Sequence, residues 1–238
     1  MALFNKPAAA PMAHTLRVLA RLLSYPDAGL RAHLDAMQGA LHAEAALDAA
    51  RLAEVDALIA HLGDSSPLDI EAGYVDLFDR GRATALHLFE HVHGDSRDRG
   101  PAMVDLTQTY AQAGLRLRPS ELPDHLTVVL EYASTQPPAQ AAAFLAEFAH
   151  ITRSIFSALL ERRSPYACVL AAVLELAGEK AEAVPIAPEP ALDEAWEEPL
   201  AFGGCSTEGQ AAPGTPQPVR IVRRAATPSN PHAQGASA

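Results

Sequence analysis

The sequence predicts an all-α protein: a single helical-bundle-like domain followed by a Pro-rich, largely irregular C-terminal tail. Three observations lead there. Alanine and leucine dominate an apolar fraction of 49% while aromatics make up only 5%, and straight-chain apolar residues lose little entropy in helices. Apolar residues recur at spacings of three and four along most of the chain, with Pro, Gly or Asp between the runs. Nine of the 19 prolines fall in residues 181–238, where no helical period is present, a composition that cannot bury enough apolar area to order a chain by itself. The boundaries that follow are a flexible N-terminus over 1–11, a helical domain over 12–178 and a tail over 179–238.

Met12, Leu16, Leu19 and Leu23 mark the first helix, with Arg17 and Arg21 off the stripe. Pro7, Pro11 and these arginines interrupt any uncharged signal-peptide core. The spacing then predicts helices over Ala28 to His42 and over Glu44 to Leu62, the second stopped by "GDSSP". A shorter one runs from Asp69 to Phe78. Another spans Arg82 to His93 and ends on Gly94. Asp98 to Gly114 carries Met103, Leu106 and Tyr110 inward, with Pro101 harmless in the first turn. Pro123 and Asp124 open a helix whose inner face is Leu126, Val129, Leu130 and Ala133. Ala139 to Arg163 reads as the longest helix, on Phe144, Phe148, Ile151, Ile155 and Leu159. The last, Tyr166 to Leu176, is apolar almost all round and therefore buried.

Composition also excludes functions. A formal net charge of -11 disfavours nucleic acid, whose binding rests on clustered Lys and Arg. No run approaches the ~20 uncharged apolar residues of a membrane span. Cys168 and Cys205 form neither a disulfide framework nor a thiolate metal cage, which fits a reducing compartment. Cys168 reads as a small buried hydrophobe and Cys205, in "FGGCSTEG", as an exposed thiol of no fixed role.

The segment "ALHLFEHVHGDSRDRG" contains His87-x-x-Glu90-His91, which spells an inverted zinc-peptidase motif. On a helix, at ~100° per residue, the three share one side. Two histidines at i and i+4 could hold zinc with Glu90 as general base, and Glu147 or Glu161 as third ligand. The context argues against it: such enzymes are large mixed α/β proteins, and this chain shows no strand pattern. Downstream, Asp98 or Ser96 can cap the following helix. Arg97 and Arg99 can instead pair with Asp95 or Glu90; both can hold together.

Three blocks in order carry a resemblance: Tyr74-Val-Asp-Leu77-Phe78-Asp79-Arg80-Gly81, then "LHLFEHVHGDSRDRGPAMVDL", then "LPDHL" from Leu122 to Leu126 followed by "VVLEY". The chain resembles the respiratory nitrate reductase molybdenum cofactor assembly chaperones (NarJ-type delta chains), over about residues 12–178 and again at "DEAWEEP" in the tail. The resemblance implies a cytoplasmic, non-enzymatic protein with no metal or cofactor of its own. Its implied partner is the molybdenum-carrying catalytic subunit, bound through its N-terminal segment, with cofactor-biosynthesis proteins as further partners. The apoenzyme is then held for molybdenum cofactor and iron–sulfur insertion before membrane docking.

Carried onto this sequence, the patterned positions nominate Tyr74, Leu77, Phe78, Leu86, His87, Phe89, Glu90, His93, Asp124 and His125 as a peptide site. The aromatic and leucine members would line an apolar groove, and His87, Glu90, Asp124 and His125 its polar rim or buried hydrogen bonds. Ordinary core packing explains the aromatics equally well. The rival readings are a zinc hydrolase on His87, Glu90 and His91, and a helical regulatory scaffold for another partner. For the tail, the alternatives are an unstructured extension or a segment docked in short pieces, with "LDEAWEEPLAFGGC" and "PVRIVRR" as the candidates.

Overall fold

The computed structural model of the chain describes residues 10–94, 98–119 and 121–186, all within the unit Met1–Glu189. Asp95, Ser96, Arg97, Cys205 and the tail segments singled out above lie outside them. Eleven α-helices run through the described residues: α1 Ala13–Leu22, α2 Ala28–Arg31, α3 Leu34–Glu44, α4 Ala49–Asp64, α5 Pro67–Tyr74, α6 Leu88–His93, α7 Arg99–Gln112, α8 Leu126–Ser134, α9 Pro138–Glu147, α10 Ala149–Glu161 and α11 Ala167–Leu176. A π-helical turn, Val75–Asp79, continues α5, and a 3₁₀ turn covers Arg82–Thr84. The all-α expectation holds, and the only extended pairing among the described residues is one isolated bridge, His87 to His125.

The centre of the bundle is α11. Val169, Leu170, Ala171, Ala172 and Leu174 have no exposed surface, and α10, α4, α9 and α1 all pack on it. Its alanines let neighbouring backbones come close, which is how so small an aromatic content still fills a core. Cys168 is buried here, and burial pushes its thiol up to about 12. The thiolate required for reactivity is therefore suppressed.

Several expected helices are divided, each for a local reason. The run from Ala28 to His42 breaks at Ala32 and His33, where His33 leaves helical geometry and its Nδ1 bonds the Gly29 carbonyl at 2.7 Å. The helix expected from Glu44 starts instead after Asp48, whose carboxylate accepts the Arg51 N–H at 2.8 Å as an N-cap. The long run from Ala139 to Arg163 bends by 70° at Phe148. No proline causes it. Phe148 packs against Phe144 and Phe89 with ring centroids 5.3 and 6.4 Å away, and its carbonyl accepts from Ile151 and Thr152 to begin α10. The bend buries both Leu145 and Ile151. No single helix among the described residues is long and apolar enough to cross a membrane.

Glu44, which ends α3, reaches back to the start of α1 and accepts the backbone N–H groups of His14 and Thr15 at 3.1 and 2.6 Å. Met12 at the N-cap offers no side-chain oxygen, so a residue from another helix satisfies orphan donors that would otherwise go unmet. After α11 the chain turns back along α10: Glu179 pairs with Arg153 at 2.8 Å, and the Val184 N–H donates to Ser157 Oγ at 2.9 Å. Replacing Glu44 by Ala is expected to cost about 1 kcal/mol, the usual loss of an N-cap. Thermal unfolding checks this, with a drop of roughly 2–4 °C expected for a chain of this size.

Candidate functional site

Two segments far apart in sequence are sewn together at the site. The Leu88 N–H donates to the Asp124 carbonyl at 3.0 Å, and the Leu126 N–H to the Leu86 carbonyl at 2.8 Å. Extended backbone alternates its side chains between two faces. Leu86, Leu88 and Leu126 accordingly enter the core, while His87 and His125 turn the other way with ring centroids 4.8 Å apart, edge to face. The second and third sequence blocks are thus one structural unit.

Beneath the two rings lies Asp124, with no exposed surface. Its Oδ2 accepts the Phe89 N–H and an Arg99 Nη2–H, each at 3.3 Å, and Oδ1 faces His87 Nδ1 at 3.5 Å. Arg99 Nη1 also meets Glu90 at 3.2 Å. Asp124 therefore caps α6 from across the fold, where the helix's own N-cap residue, His87, forms no capping bond. Burial pushes the Asp124 carboxyl up, but His87, Arg99 and the Phe89 N–H outweigh it and hold it below the ordinary carboxylate range. His125 caps α8 with its ring, and burial together with the charge of His87 lowers its pKa to about 4. Tyr110 donates its hydroxyl to the Pro123 carbonyl at 2.8 Å, bracing the turn from below.

Above the histidines opens a cleft of about 670 Å³ between α1, α8 and the loop that joins α7 to α8. A second, of about 370 Å³, continues along α8 and is walled by Tyr110, Leu115, Leu117 and Tyr132. Glu121, Val128 and Glu131 line both. The two form one trough.

The nominated residues distribute unevenly around this trough. Tyr74, His87 and His125 line the larger cleft. Tyr74 and Leu77 also border a separate recess of about 240 Å³ beside Arg163 and Tyr166. Phe78 and Leu86 are core, Phe78 in an aromatic cluster with Tyr74 and Tyr166. Asp124 and Glu90 form the charged support below. Phe89 packs on Phe148 and His93, outside the residues that line the trough. Sequence reasoning did not nominate Arg17, Tyr25, Val128 or Tyr132, and it placed Glu131 in the third patterned block without assigning it to the site. Their signal was present: Val128, Glu131, Tyr132 and Thr135 lie at i, i+3, i+4 and i+7, the outward face of α8.

The helix expected over Arg82 to His93 is corrected here. Only Leu88–His93 is α-helical, and His87 has extended geometry, with φ -86° and ψ 100°. His87, Glu90 and His91 do not share a helix face, so the i, i+4 zinc geometry is not formed. His87 is drawn off the helix by the backbone bonds to Asp124 and Leu126, and His91 Nε2 bonds the Ala85 carbonyl at 2.8 Å. Glu147 and Glu161 are exposed on other helices. Asp98 stands at the N-cap of α7 without a side-chain capping bond, whereas the pairing of Arg99 with Glu90 is realised.

A sequence model of the nitrate reductase delta subunit matches residues 27–172. The chain belongs to this family. The delta-subunit fold therefore holds the site just described, in a family of maturation proteins rather than of enzymes. The chain is 42% identical over 193 residues to the nitrate reductase molybdenum cofactor assembly chaperone NarJ of Escherichia coli (strain K12), covering 77% of this chain and 82% of that one. It is 30% identical over 164 residues to the probable chaperone of the same name from Bacillus subtilis (strain 168), covering 67% and 86%. In fold it is similar to a putative redox enzyme maturation protein from Archaeoglobus fulgidus, with a TM-score of 0.51 at 20% identity, covering 75% of this chain and 99% of that one.

Removing Asp124 leaves Arg99 partly buried and α6 uncapped, so Asp124→Ala is expected to destabilise by about 3 kcal/mol in urea unfolding. A change under 0.5 kcal/mol would contradict the capping role. His125 binds its proton less readily folded than unfolded. Its contribution to stability is therefore complete above pH ~6.5 and is lost as pH falls toward about 4. His125→Asn keeps a cap acceptor and is expected to flatten the fall in melting temperature across that window.

Proposed function

We propose that this chain is a dedicated chaperone of respiratory nitrate reductase. It binds the N-terminal segment of the catalytic subunit in the trough along α8. There it holds the apoenzyme for molybdenum cofactor and iron–sulfur insertion before membrane docking, and it acts in the cytoplasm. The observation that carries this reading is the trough itself. Its two clefts share Glu121, Val128 and Glu131, the smaller is walled largely by apolar and aromatic side chains and the larger mostly by polar and charged ones, and its end wall is the point where the second and third family-patterned blocks meet.

Physically this is helix-in-groove recognition. An amphipathic segment lays apolar side chains into the clefts, and polar groups at the rim set its register. Tyr25, Leu122 and Val128 supply apolar wall in the larger cleft; Tyr25 and Leu122 are 44% exposed, so covering them removes apolar area from water. A short segment covers only part of a standard interface, and the complex is correspondingly releasable. Release is what assembly requires.

A synthetic peptide of the catalytic subunit's N-terminal segment, titrated by calorimetry, is expected to bind one to one. Leu122→Asp and Val128→Glu are expected to weaken it more than tenfold, as truncation or charging of a central anchor does, with the helical circular dichroism intact. Unchanged affinity in both folded variants would move the site elsewhere, and co-purification of an unrelated protein in place of the catalytic subunit would favour a general scaffold.

A further inference from the structure

The trough carries a charge pattern of its own. Four arginines border it, Arg17, Arg21, Arg116 and Arg118, and among the described residues all but Arg116 are committed. Arg21 pairs with Asp27 at 3.0 Å, Arg118 with Glu121 at 3.9 Å, and Arg17 is tethered through Nε to Ser134 Oγ at 3.2 Å. Glu121 is engaged further by the Arg118 N–H at 3.0 Å. Glu131 differs. It is exposed, it lines both clefts, and its carboxylate has no ion pair or side-chain hydrogen bond among the described residues.

Position sharpens the contrast. Glu131 sits midway on the outward face of α8, with Val128 one turn before it and Thr135 one turn after. In the larger cleft the two arginines, Arg21 and Arg118, are each paired with a carboxylate, which leaves Glu131 as the unpaired carboxylate there among the described residues. The smaller cleft is walled by Tyr110, Leu115, Leu117 and Tyr132 and is sized for one large apolar side chain. Val128 and Thr135 stand about one helical turn to either side of Glu131, roughly 5 Å along the axis at 1.5 Å per residue.

We infer that Glu131 is a specificity-determining residue, which selects peptides carrying a Lys or Arg three or four positions from a large apolar residue. The apolar side chain fills the smaller cleft and the cation lies over Glu131 in the larger one. This deepens the peptide-binding reading and rests on it. The net charge of the chain, -11, adds long-range attraction for such a segment, but only Glu131 gives it a register.

The test uses the full chain and the synthetic peptide of the catalytic subunit's N-terminal segment, together with copies in which each Lys or Arg is replaced singly by Gln. Glu131→Gln is expected to weaken the native peptide roughly fivefold at low salt, the scale of an exposed ion pair, with the difference closing at high salt. One peptide substitution should weaken binding to the unmodified chain equally and have no further effect on Glu131→Gln. Glu131→Lys should reverse the preference, favouring a Glu at that peptide position. Thr135→Trp, which fills the smaller cleft from an exposed position, should cost about tenfold. Equal affinity of Glu131→Gln and the unmodified chain at low salt, or no coupling to any single basic residue, overturns the inference and leaves the peptide site standing. Failure of the native peptide to bind the unmodified chain overturns the peptide reading as well.

Discussion

A carboxylate with no exposed surface organises the rest of this molecule. Asp124 is too costly to bury unless its charge is answered, and each answer fixes a different piece of structure. The Phe89 N–H ties it to the start of α6, Arg99 to the start of α7, and His87 to the extended segment between the 3₁₀ turn and α6. Its own carbonyl is bonded to Leu88. Withdrawing that one group would release two helix starts and the bridge between the histidines together.

The trough is a consequence of this arrangement. Pairing with His125 holds His87 off the helix, so both rings point outward and form the end wall of the larger cleft. Immediately after the bridge α8 begins, with Leu126, Val129, Leu130 and Ala133 buried against the core and Val128, Glu131 and Tyr132 left facing out. One helix thereby packs on the core with one face and lines the trough with the other. The support is buried and charged, while the trough is open, apolar in its smaller cleft and mostly polar in its larger one. A substitution in the support lowers stability before affinity, and one on the surface does the reverse.

Much of this was legible in the sequence. Helical periodicity placed α1, α7, α8 and α11 within a few residues, because those helices bury a continuous apolar stripe. It failed where tertiary contacts override local preference. Nothing local announces that Phe148 will divide a run of good helix formers, since the bend is set by Phe144, Phe89 and the core beneath. His87 was misplaced for the same reason: its helical-looking spacing yields to the backbone bonds that its neighbours Leu86 and Leu88 make with Leu126 and Asp124, far away in sequence. The patterned blocks marked the right neighbourhood, but mostly its foundations. Phe78, Leu86 and Asp124 hold the site up, whereas Val128, Glu131 and Tyr132, which line the trough, lie within the third block at "VVLEY" but were not picked out of it as site residues.

The bridge between His87 and His125 also bears on the order in which the molecule becomes competent. Joining these segments closes a long loop that contains all of α7, and loop closure is an entropic cost met only when the enclosed helix has docked. Neither histidine is in place before then, and the end wall of the larger cleft does not exist. On the proposed reading, readiness to receive a client is in this way a property of the folded chain alone: a partly folded copy has apolar surface to offer but no assembled cleft, and cannot hold a client in register.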